Sequence, residues 1–130
     1  PFMVYWDFFN DDLKVARCTD LTCSDATLSR IDTAGSVGAN PAAALGADGL
    51  PVIAYHDHSN SDIKVARCAD ADCTQARAVT LDAAGSVGWH IDIAVGADGL
   101  PVVVYYDETN GDLKVTHCGD RGCTRAPPLP

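Results

Sequence analysis

No apolar run in this 130-residue chain approaches the roughly 18 residues that a membrane-spanning helix needs, so insertion by helices is excluded. Basic side chains are scarce, 9 Lys and Arg against 18 Asp and Glu, which leaves a formal charge of −9. Recognition of nucleic acid needs a basic face, and so does attachment to an anionic membrane surface, so neither partner is expected. No stretch carries a sustained helical period with caps, which argues against helices. The serine elbow, the metal-hydrolase motif and the phosphate loop are all missing. A glycosidase would need two carboxylates in unlike environments, whereas the acids here recur in turn and ladder positions. The expectation is a non-enzyme with no cofactor. No N-x-S/T sequon occurs, so any attached glycan would be O-linked. The chain opens on Pro rather than Met and shows no signal peptide, and a mature, processed or excised segment is expected.

What the chain has is repetition. P-V-V-V-Y-Y-D-E-T-N-G-D-L-K-V-T-H-C, residues 101 to 118, has earlier copies starting at Pro1 and Pro51. The spacing is 50 residues, without insertion or deletion, and half of the positions in 1–50 recur in 51–100. A fixed period of this length marks a repeat architecture. The expected divisions are unit 1 over 1–50, unit 2 over 51–100, and a partial unit 3 over 101–130 with a Pro-rich end. Pro127, Pro128 and Pro130 lack the amide that a ladder requires, so a regular third strand is not expected there.

Each copy opens with an apolar run ending in Tyr-x-Asp, then a short polar run holding Asn10, Asn60 or Asn110, then a second strand-like run ending in Cys. Two β-rich runs joined through Asn-Gly read as a hairpin. A two-residue turn sets Asp7 opposite Lys14, Asp57 opposite Lys64 and Asp107 opposite Lys114, as structural ion pairs. A three-residue loop with Asn in the left-handed region is the alternative. The segment A-G-S-V-G is a turn signal, and the run after it contains Pro41 in the first copy, which suits an edge strand or a shortened one. Each of the first two units closes on G-A-D-G-L-P, a tight turn in which Asp48 and Asp98 read as turn residues rather than calcium ligands.

The six cysteines fall as Cys18/Cys23, Cys68/Cys73 and Cys118/Cys123, always C-x4-C. Within-copy disulfides are the expected pairing, because each pair brackets a turn and the repeat keeps it intact. Zinc is the rival, but it would need two such pairs to converge. Disulfides imply an oxidising compartment, hence a secreted, extracellular or cell-surface protein.

Four short strands per unit, with turns every 8–12 residues, describe an all-β chain of tandem four-stranded antiparallel units, one disulfide each. The pattern P-V-V-x-Y-Y-D-x-x-N-G-D-L-K-V-x-x-C resembles tandem repeats of uncharacterised secreted bacterial proteins, and that resemblance implies units like β-propeller blades. Propellers close with typically 4–8 blades, more than are present here. The expected role is therefore a structural or adhesive repeat protein that self-associates through β contacts, as a filament or as part of a longer tandem array. Its partner is itself. The rival class is a propeller lectin assembled by oligomerisation, with glycans as ligands and Trp6, Trp89 and Tyr106 as stacking platforms. His56 and His58 flank Asp57 on one strand face and could ligate zinc or copper, although the other copies carry no equivalent pair.

Overall fold

The computed structural model describes residues 1–124, and the expected irregularity at Pro127 and Pro128 lies outside them. The described residues form ten strands and no helix: β1 Phe2–Asp7, β2 Asp12–Cys18, β3 Ala26–Asp32, β4 Val37–Leu45, β5 Pro51–Asp57, β6 Asp62–Cys68, β7 Ala76–Asp82, β8 Val87–Val95, β9 Pro101–Asp107 and β10 Asp112–His117. They pair antiparallel in three sheets, ordered β1-β2-β3, β4-β5-β6-β7 and β10-β9-β8. Sheet and sequence repeat are out of phase. The four-stranded sheet begins with the last run of one repeat and continues through the first three runs of the next.

The phase is set by Val-Gly after the A-G-S turn. Val37 amide donates to the Asp11 carbonyl at 3.0 Å, and Val87 amide donates to the Ser61 carbonyl at 3.0 Å. Each bond ties the start of a sheet to the hairpin of the sheet before it. Gly38 follows with φ 99°, and a Cβ built there would lie 2.7 Å from the Leu13 backbone. Only glycine allows this approach. Pro41 lies in β4, at the edge of its sheet, where the register shifts between Ala39 and Ala42. Asn40 has φ 49° there and His90, its counterpart in β8, has φ 50°. The bulge takes Pro41 out of the regular ladder.

The hairpin turns differ from both sequence-based expectations. Tyr55 pairs with Lys64 and Asp57 with Asp62, so Asp57 does not face Lys64; the first and third hairpins repeat this register. Four residues make the turn, and the left-handed position is the last of them: Asp11 at φ 58°, Ser61 at 58° and Gly111 at 73°. A single left-handed residue explains why Asp and Ser are tolerated where Gly stands in the third copy. Each turn is held by its Tyr-x-Asp carboxylate, which accepts from the Asn side chain three residues on at 2.8–2.9 Å.

The middle sheet is covered on both faces. Val52, Ala54, Ile63 and Val65 pack toward the third sheet, with Val87, Ile93, Val103 and Tyr105. Ile53, Tyr55, Ala66, Cys68 and Cys73, together with Val37 of β4, pack toward the first sheet, against Leu13 and Val15. Every residue of β5 is buried as a consequence. A continuously apolar strand such as V-I-A-Y is what two-sided burial requires. Burial of one such branched side chain contributes about 1.5–3 kcal/mol.

Candidate functional site

The three disulfides form as C-x4-C loops, Cys18–Cys23, Cys68–Cys73 and Cys118–Cys123. The second cysteine of each takes a left-handed φ of 54–56°. The loop acids serve backbone amides. Asp20 accepts from the Thr22 and Ser24 amides at 3.0 Å, Asp70 from Thr74 at 3.0 Å, and Asp120 from Thr124 at 2.9 Å. Bonds from the Ser24 side chain and amide and from Thr22 hold the Asp20 carboxyl down at about 2. Among the described residues no cluster of three or more metal-ligating side chains occurs.

The lysines expected to pair within their own hairpins reach further. Lys14 does bond Asp7 in its own hairpin. Lys64, by contrast, bonds Asp32 of the preceding sheet at 2.5 Å and not Asp57. Lys114 bonds Asp82 of the preceding sheet, with Asp107 at 3.8 Å. The preceding sheet explains the correction. The first hairpin has the same register and the same Asn contact and keeps Lys14 on Asp7, whereas Asp32 and Asp82 of a preceding sheet stand within reach of Lys64 and Lys114.

Each of these acids also accepts from a tyrosine. Tyr55 hydroxyl donates to Asp32 and Tyr105 hydroxyl to Asp82, both at 2.7 Å. The backbone amides of Ala34 and Ala84 also donate to these two carboxylates, at 3.0 and 2.9 Å. The Tyr–Asp–Lys link thus bolts each sheet to the one before it. Burial works to raise the Asp32 carboxyl, but the Lys64 ammonium, the Ala34 amide and the Tyr55 hydroxyl outweigh it and hold it low. The same balance acts on Asp82, through Lys114, Ala84 and Tyr105. Both tyrosine hydroxyls are pushed well above their ordinary value, first by burial. A signal for these links was present in the sequence. Asp32 and Asp82 end the third run of each full repeat, and Tyr and Lys recur in all three copies.

The sugar-stacking candidates do not share one pocket. Trp89 stacks on His56 with ring centroids 4.3 Å apart, between the middle and third sheets. Tyr106 stands opposite Trp89 across β8 and β9 and meets His90 at 6.3 Å. Trp6 packs edge-on against Phe8 at 5.1 Å, and Phe8 touches Phe9, both exposed. The indole nitrogens of Trp6 and Trp89 are buried without a hydrogen-bond partner. His56 is buried, and its Nδ1 lies 3.1 Å from the Val87 carbonyl, so that nitrogen carries the proton and donates. Burial depresses its basicity, and the ring serves as a neutral packing element beside exposed His58.

The outer faces of the end sheets are the remaining feature. Leu113 and Val115 occupy the positions of Ile63 and Val65, yet they are 75 % and 38 % exposed where the latter are 0 %. At the other end Met3 occupies the position of Ile53 and is 46 % exposed against 0 %. Tyr5 stands opposite Lys14 on that same face, as Tyr55 stands opposite Lys64. The chain matches no protein-family model, and comparison with curated proteins finds no significant relative.

Proposed function

We propose that this is a non-enzymatic extracellular structural or adhesive repeat protein, built of units like β-propeller blades, that self-associates through β contacts. The observation that carries the reading is the contrast between sheets. One sheet is buried on both faces, while the two sheets beside it each leave a face open with large apolar residues exposed. Contiguous exposed apolar surface marks an interaction site. The two open faces are unlike, and unlike faces favour head-to-tail contacts, which give rings if the rotation closes and filaments if it does not. A filament or a longer tandem array is the form we favour. Three disulfides in so small an all-β chain are consistent with an extracellular setting. Electron microscopy of the purified protein is the test: filaments or rings support the reading, and a field of uniform single particles of one-chain size opposes it.

A lectin reading has its own support in the exposed Phe8 and Phe9 beside Trp6. Stacking on a sugar would use such a cluster. Specific binding on a glycan array, lost in Phe8→Ala, would favour it.

A further inference from the structure

We infer that the open face of the third sheet docks face to face on the open face of the first sheet of a second copy, repeating the packing that already joins the sheets within one chain. The inference rests on the self-association proposed above and names the surfaces that mate. The template occurs twice within the chain. The Leu13/Val15 face of the first sheet receives the Ile53/Tyr55 face of the middle sheet. The Ile63/Val65 face of the middle sheet receives the Val103/Tyr105 face of the third. In both junctions a sheet offers the face that holds the apolar pair on the second strand of its Tyr-x-Asp hairpin. Its neighbour offers the face with the tyrosine on the first strand of its own hairpin.

The third sheet offers the first kind of face, with Leu113 opposite Tyr106 and Val115 opposite Val104. The first sheet offers the second kind, with Tyr5 opposite Lys14 and Met3 opposite Ala16. The side chains are the right kind at the right register, and both sets are uncovered at their centre. Leu28 extends the acceptor face, since it pairs with Ala16 across β2 and β3 and is exposed.

Face-to-face docking differs from addition of strands edge to edge. The edge strands are β1 and β3 in the first sheet and β8 and β10 in the third. Joining them would extend a ladder but would leave Leu113, Val115 and Met3 in water, because those side chains stand perpendicular to the sheet. Docking by faces covers all three. It also gives a heterologous contact, in which each copy uses one face as donor and another as acceptor.

Complementation tests this directly. Leu113→Asp removes the donor face and Met3→Asp the acceptor face. Both sites are exposed, so both variants fold, which circular dichroism and thermal melting against the parent chain check. Sedimentation velocity is then run on the parent, on each variant alone, and on an equimolar mixture. The expected result is assembly by the parent, monomer for each variant alone, and a 1:1 species of twice the 13.6 kDa chain mass in the mixture, with nothing larger. Each variant keeps one intact face, so the pair can meet once and stop. If the parent assembles and the variants assemble equally well, the face-to-face junction is overturned while self-association stands. If one variant dimerises alone, the contact pairs like faces and the junction is again overturned. A parent that stays monomeric at 100 μM, on the order of the concentrations where weak specific contacts populate, overturns both readings.

Discussion

Removing one oxygen from Tyr55 isolates the link between sheets. Tyr55→Phe keeps the ring in its fully buried slot, so no cavity opens and the packing cost is small. What is lost is a 2.7 Å hydrogen bond from the hydroxyl to the Asp32 carboxylate, which stays ionised under Lys64 and the Ala34 amide. A bond to a charged acceptor contributes about 1.5–3 kcal/mol net. At this chain length about 3–5 °C of melting temperature follows each kcal/mol, so the variant should melt about 5–15 °C lower. Tyr5 supplies the control. It holds the same position in the first hairpin, opposite Lys14, but no carboxylate of a preceding sheet meets it among the described residues, and Lys14 turns to Asp7 instead. Tyr5→Phe should therefore stay within about 0.5 kcal/mol of the parent, as surface changes do. Urea unfolding under non-reducing conditions, followed by the fluorescence of Trp6 and Trp89 at submicromolar protein, measures both. Equal losses at the two positions, or a neutral Tyr55→Phe, would refute the idea that the hydroxyl ties the sheets together.

Further outcomes follow from the same contacts. Gly38→Ala should cost at least about 3 kcal/mol, from a clash with the Leu13 backbone added to a left-handed φ, whereas Gly49→Ala, with φ 78° and nothing within 4 Å, should cost about 1 kcal/mol. Urea midpoints of the two variants check this contrast. Stability should fall with acid. The Asp32 and Asp82 carboxyls are depressed in the folded state, so their contribution is complete above about pH 4 and is lost as pH falls through their folded values. Asp32→Asn should be less stable at pH 7 and show a shallower acid decline in melting scans. The Cys18–Cys23 bond should be reduced first, since Cys23 is partly exposed while Cys68, Cys73, Cys118 and Cys123 are buried, and timed alkylation with peptide mapping reads the order. Each small loop is worth about 2 kcal/mol in the chain-entropy treatment. Association of copies that each carry −9 should strengthen as salt rises, because screening removes their mutual repulsion while apolar docking persists.

Much of this architecture was readable from the residues. The 50-residue period gave repeated strands, C-x4-C gave the disulfides, and Pro41 pointed to the sheet edge where β4 lies. The sheet phase was harder to read. A sequence repeat may be cut anywhere along its period, and only the Val37 and Val87 amides, reaching back to the previous hairpin, show where one sheet gives way to the next. The hairpin register failed for a related reason. Asn110-Gly111 imitates a two-residue turn, but the tolerance for Asp11 and Ser61 at the Gly111 position reflects one left-handed residue at the end of a four-residue turn. Lys14 still bonds Asp7, but Lys64 and Lys114 make their short bonds to Asp32 and Asp82 of the preceding sheet. Asp32 and Asp82 were visible as recurring residues, yet their partners lie 23 and 32 positions away in another sheet, beyond the reach of hairpin reasoning.

The central claim is that the uncovered sheet faces bring copies of this chain together. Sedimentation velocity of the unmodified protein, across a concentration series from 1 to 100 μM, on the order of the range where weak specific contacts populate, tests it most directly. Species growing with concentration in whole multiples of the 13.6 kDa chain are predicted. A single monodisperse monomer at every concentration would contradict it.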